Sequence, residues 1–268
     1  MNKHLRIFTL ILCAVLLFAQ MGACGGAAGK LAKIQKNKEI VVYTDPNFYP
    51  FEFPGANGVE GVDIEIARAI AADLGVGLSI KESKFDAIIM SIKGGKGDIA
   101  ISGMTITDER RESVDFSDPY INSVQYMIVL NDSGLAVVED LAGKKIGVAK
   151  GYTGSLLIDD EINQKEGVLY GSNATFTEYP SANEATLDLI NGKVEAVIMD
   201  EYVAKNIAAG NNVLKTFELA YADGAVAAEE YGVVVPKGNQ DLLARINAVI
   251  KNLKSQNKIE EWVLQYSQ

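Results

Sequence analysis

Twice along this chain of 268 residues, short β-branched runs alternate with stretches of helical periodicity. In the first half Ile40–Thr44, Leu78–Lys81 and Asp98–Ile101 read as strands, with helices over Asp63–Leu74 and Phe85–Lys93 between them. After Gln125–Leu130 the alternation begins afresh: strands at Lys145–Ala149, Thr175–Tyr179 and Ala196–Met199, helices at Ser155–Gln164, Ala182–Asn191 and Glu201–Ala209. Strand–helix–strand order marks a mostly parallel sheet flanked by helices. The expected class is therefore α/β, in two similar units. A strand at Gly232–Val235 and an amphipathic helix over Asp241–Lys254 close the chain, the helix repeating Leu242, Leu243, Ile246, Val249, Ile250 and Leu253 at helical spacing. No linker rich in Pro or Ser separates the units, which suits a short hinge of extended strands.

The N-terminus is of another kind. Lys3 and Arg6 precede an apolar run, Ile7–Ala19, too short to cross a bilayer, and small residues follow it. This is the pattern of a secretion signal. Met21-Gly22-Ala23-Cys24 resembles a bacterial lipobox, in which Cys24 is acylated and becomes the new N-terminus; plain signal-peptidase cleavage nearby is the alternative. Residues 1–23 are thus expected to be a signal peptide and 24–37 a tether, with Lys30–Lys38 a basic, helix-like stretch.

The only histidine is His4 and the only cysteines are Cys13 and Cys24. A chain cut before Cys24 has no histidine and one N-terminal cysteine, so it cannot run Ser-His-Asp or Cys-His chemistry, build a His- or Cys-ligated zinc site, or close a disulfide within itself. No cofactor is implied. The net charge of −10 argues against nucleic acid, which calls for Lys/Arg-rich surfaces. Lys93-Gly-Gly-Lys-Gly97 lacks the spacing of a phosphate-binding loop and reads as a helix-ending turn. What remains is carboxylate or lysine catalysis, or binding without chemistry.

Three loops follow predicted strands at their C-terminal ends, where ligands sit in open α/β sheets. Asp45-Pro-Asn-Phe48-Tyr-Pro-Phe51-Glu52-Phe53 carries four aromatics, as packing or as a pocket wall. Ser102-Gly103-Met-Thr105-Ile-Thr107-Asp-Glu109-Arg110 combines small residues with a guanidinium, which suits an anion; a capped short helix with Arg110 paired to Glu109, Glu112 or Asp115 is the alternative. Lys150-Gly-Tyr-Thr153-Gly154 turns into a helix start, and Asp200 ends the strand Ala196–Met199, as ligand group or as helix N-cap.

Together these segments resemble the amino-acid class of bacterial periplasmic solute-binding proteins, which deliver substrate to ATP-driven importers. The matching stretches are Tyr-Pro-Phe-Glu-Phe (49–53), Gly-Val-Asp-Ile-Glu-Ile-Ala (61–67), Lys-Phe-Asp-Ala-Ile-Ile (84–89), Gly-Met-Thr-Ile-Thr-Asp-Glu-Arg (103–110), Val-Asp-Phe-Ser-Asp-Pro-Tyr (114–120) and Asp-Leu-Ala-Gly-Lys-Lys-Ile-Gly-Val (140–148). The resemblance implies two lobes, 38–122 with 231–268 and 123–230, crossed near Asn122-Ser123 and again near Glu230-Tyr231. It implies Arg110, Ser102, Gly103 and Thr105 on a ligand carboxylate with Thr153 and Gly154 closing over it, and Asp200 on the ammonium. Phe48 and Phe85 would sandwich the ligand side chain. Asp45 and Lys150 fall where glutamine binders touch the side-chain amide, which puts glutamine ahead of other polar or basic amino acids, although Met199 stands where the best-known glutamine binders have His. The implied protein is a monomer, lipid-anchored on the outer face of a membrane and served by a permease. A dehydratase on the same fold is the alternative; it would need an acid or base among Asp45, Glu52 and Lys150.

Overall fold

The structure, a computed structural model, describes residues 29–267. The signal-like segment and Cys24 lie outside the described residues. Two sheets organise the chain. The first runs β4-β1-β5-β13-β6, from β1 (Glu39–Thr44), β4 (Gly77–Glu82), β5 (Ile99–Ala100), β6 (Val114–Phe116) and β13 (Val234–Pro236). β1 pairs in parallel with β4 and β5, and β13 inserts antiparallel between β5 and β6. The second runs β11-β7-β10-β8-β9, from β7 (Ile121–Leu130), β8 (Lys145–Ala149), β9 (Thr175–Tyr179), β10 (Ala196–Asp200) and β11 (Leu214–Glu218). Its strands β10, β8 and β9 are parallel, while β7 is antiparallel to β10 and β11. A small hairpin, β2 (Phe53–Gly55) and β3 (Gly58–Glu60), stands apart.

The helices are those the hydrophobic spacing demands. α2 (Val62–Leu74) and α3 (Phe85–Lys93) bury Ile64, Ile66, Ile70, Ile88 and Ile92 against the first sheet. α5 (Thr153–Asn163), α6 (Ala182–Ile190) and α7 (Glu201–Ala209) cover the second. At the C-terminal end α8 (Gln240–Ser255) buries Leu242, Ile246, Val249 and Ile250 beside α2, and α9 (Lys258–Tyr266) packs on both.

Two strands join the lobes. β7 enters the second sheet only after its first residues have paired with β12 (Ala228–Tyr231), in the register Ile121↔Tyr231, Asn122↔Glu230, Ser123↔Glu229. The lobe junction is therefore a two-stranded antiparallel ribbon. Its pleat turns Glu229 and Tyr231 inward and leaves Ala228 and Glu230 exposed.

One expectation needs correcting. Residues 30–37, read as tether, form a docked helix, α1 (Lys30–Asn37). Ile34 is buried against the first lobe, and the Lys30 ammonium reaches Asp98 (3.1 Å) and the Gly97 carbonyl (3.0 Å). An apolar residue at the centre of a basic helix gave it a face to bury.

Candidate functional site

The cleft between the lobes is closed, and both lobes supply buried charge to it. From the first lobe comes Arg110. Thr107 caps α4 (Asp108–Ser113), its hydroxyl accepting from the Arg110 N–H at 3.1 Å, which fixes the helix start and aims the guanidinium into the cleft. Arg110 pairs with none of Glu109, Glu112 and Asp115. It donates to the carbonyls of Thr105 (2.7 Å) and Gly151 (2.9 Å) and lies over the Phe85 ring. It is 7% exposed, with no carboxylate at salt-bridge distance among the described residues. Burial lowers its pKa, and the fields of Asp200 and Glu229 oppose that shift.

Asp200 comes from the other lobe, at the end of β10. It occupies the N-cap position of α7 without capping it: its carboxylate accepts from Gln125 Nε2 (2.7 Å) and the Tyr231 hydroxyl (2.6 Å). Gln125 Nε2 also donates to Glu229 (2.9 Å), whose carboxyl bonds the hydroxyls of Thr153 and, at 3.3 Å, Thr105. Burial first, and then repulsion from Asp200, push Glu229 up to about 8. At neutral pH Glu229 therefore carries a proton. Gln125 Oε1 is buried and has no partner among the described residues.

The loop after β5 is built from beneath. Ser102 donates to Glu52 (2.8 Å) and accepts from the Asp45 N–H (3.0 Å), and the Gly103 N–H is held by Asp63 (2.7 Å). Gly103 has φ +51°, and a Cβ there would stand 2.3 Å from the Phe48 ring, so this close approach requires glycine. Glu52, one of the groups an enzyme reading depends on, is fully buried under Ser102 and raised by burial and by Asp63.

Most of the expected residues meet at the cleft. Thr105 and Thr153 approach from opposite lobes (Oγ1···Oγ1 3.4 Å), and Gly154 lies where a Cβ would strike Gln125. Phe48 and Phe85 are buried, with the Tyr152 ring stacked on each, at 3.9 Å from Phe85 and 5.7 Å from Phe48. Asp45 turns its carboxylate to the Phe85 N–H (3.0 Å) and Asn47 (2.6 Å). Two of the expected residues have other partners. Lys150 does not join Asp45: it pairs with Asp86 at 3.1 Å across the cleft mouth with its side chain 58% exposed, because a flexible ammonium finds a carboxylate in water more cheaply than in a buried slot. The Gly103 N–H is already spent on Asp63.

Gln125, Tyr152, Glu229 and Tyr231 escaped the reading of the sequence. A period of two over Ala228–Tyr231 was the available signal for Glu229 and Tyr231, hidden by the adjacent Glu230.

Residues 40–268 match the family model described as bacterial extracellular solute-binding proteins, family 3. The L-cystine-binding protein TcyJ of Escherichia coli is 30% identical over 251 residues, 92% of this chain and 90% of that one. The ABC transporter glutamine-binding protein GlnH of Bacillus subtilis is 32% identical over 276 residues, 97% of this chain and 96% of its own. Among solved structures, the amino acid ABC transporter substrate-binding protein AbpA of Streptococcus pneumoniae, bound to L-arginine, superposes with a TM-score of 0.79 at 31% identity, covering 88% of this chain and 97% of that one. With two lobes, a charged cleft between them and a family match that runs almost from end to end, this chain belongs to the bacterial extracellular solute-binding proteins of family 3, the periplasmic binding proteins of amino-acid importers.

Proposed function

We propose that the cleft captures one free α-amino acid, with arginine the leading ligand and glutamine the second reading. The observation that carries this is a buried guanidinium without a carboxylate and a buried carboxylate without a cation, set in one cleft from opposite lobes. Each is costly alone in a desolvated site, and a zwitterion supplies both missing partners. In this reading the ligand carboxylate goes to Arg110 and Thr105, beside Ser102, Gly103, Thr153 and Gly154. The ammonium goes to Asp200, with Glu229 and the orphaned Gln125 Oε1 as further acceptors for its three protons.

The side chain would lie between Phe48 and Phe85 and point toward Asp45. The expectation of glutamine rested on Lys150 as donor at that end. With Lys150 turned to Asp86, the mouth keeps an acidic excess: Asp45, Glu82 and Glu184 against Lys84 line a cavity of about 420 Å³. A guanidinium stacks on aromatic faces and answers acid with charge, so arginine gains on both counts. A carboxamide can still donate to Asp45, which keeps glutamine in place; AbpA with its arginine and GlnH with its glutamine show relatives of either kind.

We place the lobes at 38–122 with 231–268 and at 123–230. We also propose that Cys24 is lipidated and tethers a monomer to the outer membrane face, where a permease receives the closed form; Cys24→Ala is then expected to move the protein from the membrane to the soluble fraction. A thermal-shift screen of the twenty amino acids on ligand-stripped protein tests the ligand. Arginine is expected to give the largest shift, glutamine a smaller one and glutamate none; no shift from any of them overturns the assignment.

A further inference from the structure

The slot between Phe48 and Phe85 is filled by a residue of the protein itself. Tyr152, from the loop between β8 and α5 of the second lobe, presents a ring tilted 20° to Phe85 and 25° to Phe48, and is only 5% exposed. The residue before it, Gly151, holds the Arg110 guanidinium through its carbonyl at 2.9 Å. Two adjacent residues thus do, across the cleft, what the proposed ligand would do: an oxygen on Arg110 and a side chain stacked between the two phenylalanines.

We infer that Gly151-Tyr152 is a built-in pseudo-ligand that sets the affinity of the site, the Tyr152 ring competing with the incoming amino acid for the Phe48–Phe85 slot and the Gly151 carbonyl competing for Arg110. This inference rests on the amino-acid reading of the cleft. It has three supports. Stacked aromatic contacts stabilise beyond their buried area. A carbonyl on a guanidinium is a weaker partner than a carboxylate, so the occupant is held and still displaceable. The contact joins the lobes, together with Thr105 to Thr153 and Lys150 to Asp86, so it favours a closed form before any ligand arrives. A ligand cannot enter while Tyr152 fills the slot, and its apparent affinity falls by the fraction of molecules in which the slot is vacant. Since Arg110 is taken along with the slot, that factor applies to every amino acid, whatever its side chain.

The experiment compares wild type, Tyr152→Ala and Tyr152→Phe after ligand is stripped by unfolding and refolding. Small-angle scattering without ligand is expected to show wild type and Tyr152→Phe compact and Tyr152→Ala expanded. Calorimetry with L-arginine and with L-glutamine is expected to show Tyr152→Ala binding both more tightly by one common factor, about tenfold where the plugged form holds nine-tenths of the molecules, and Tyr152→Phe unchanged. A Tyr152→Ala variant that is as compact as wild type, or that binds either ligand no better than wild type, overturns the inference; loss of affinity that differs between the two ligands makes Tyr152 an ordinary pocket wall. Absence of binding by wild type and both variants sinks the amino-acid reading itself, and the scattering result then decides the pseudo-ligand contact on its own.

Discussion

Glu229 and Arg110 carry the chemistry of the cleft at the scale of single residues, and each yields a test. Glu229 ionises near 4.5 in an unfolded chain and near 8 in the folded protein. Below the first value it is protonated in both forms. Between the two, folding takes up a proton, so stability falls as the pH rises, and above about 8 the loss is complete. Asp63, raised to about 6, acts in the same direction but is finished earlier. Glu229→Gln is therefore expected to flatten the fall in melting temperature between pH 6 and 8, read by calorimetric scans. An arriving ammonium would expel the same proton: the binding enthalpy at pH 7 is expected to vary with the buffer's ionisation enthalpy, and to stop varying in Glu229→Gln. Arg110→Ala removes the one buried cation among the described residues, which in the proposed reading faces the ligand carboxylate, and should weaken binding by about 3–5 kcal/mol while the fold persists. Near-normal affinity by calorimetry in the folded variant would return Arg110 to a structural role.

Elements differ in how much of themselves they show in sequence. α3, β8 and α7 lie where their apolar residues place them, α3 and α7 by burying one helix face and β8 as a short run buried on both sides. The hairpin β2–β3, α4, β6, β11 and β12 are short or polar; they exist because a partner strand or helix completes them, and periodicity has nothing to register. The site divides along the same line. Arg110 and Asp200 sit at element ends with a charge that sequence displays, while Gln125, Tyr152 and Glu229 acquire meaning from what faces them across the ribbon or the cleft. The helical character of α1 is legible in the sequence but its docking is not, and that docking has a measurable worth. Ile34 is 1% exposed, so Ile34→Ala is expected to cost about 2–5 kcal/mol in urea unfolding; a loss below 1 kcal/mol would return this segment to a tether.

For the whole molecule, closure is a matter of two bodies on a two-stranded ribbon, and a ligand favours the closed form only through contacts it makes there and nowhere else. In the proposed reading Arg110 and Asp200, on different lobes, meet that requirement. The place of β13 has a consequence for how the chain comes together. Its strand fits between β5 and β6 and arrives after the whole of the second sheet has been made, so the first sheet stays divided until the last part of the chain emerges. The second sheet, with β12 paired on β7, is drawn from one unbroken stretch, β7 to β12. Contacts distant along the chain form slowly, because the loop between them must close first. Amides of β8 and β10 are therefore expected to gain protection from hydrogen exchange before those of β6 and β13 in pulse-labelled refolding, with simultaneous protection as the contrary result. A nascent chain released before Val234 would then carry one finished half and one half with an unfilled seam.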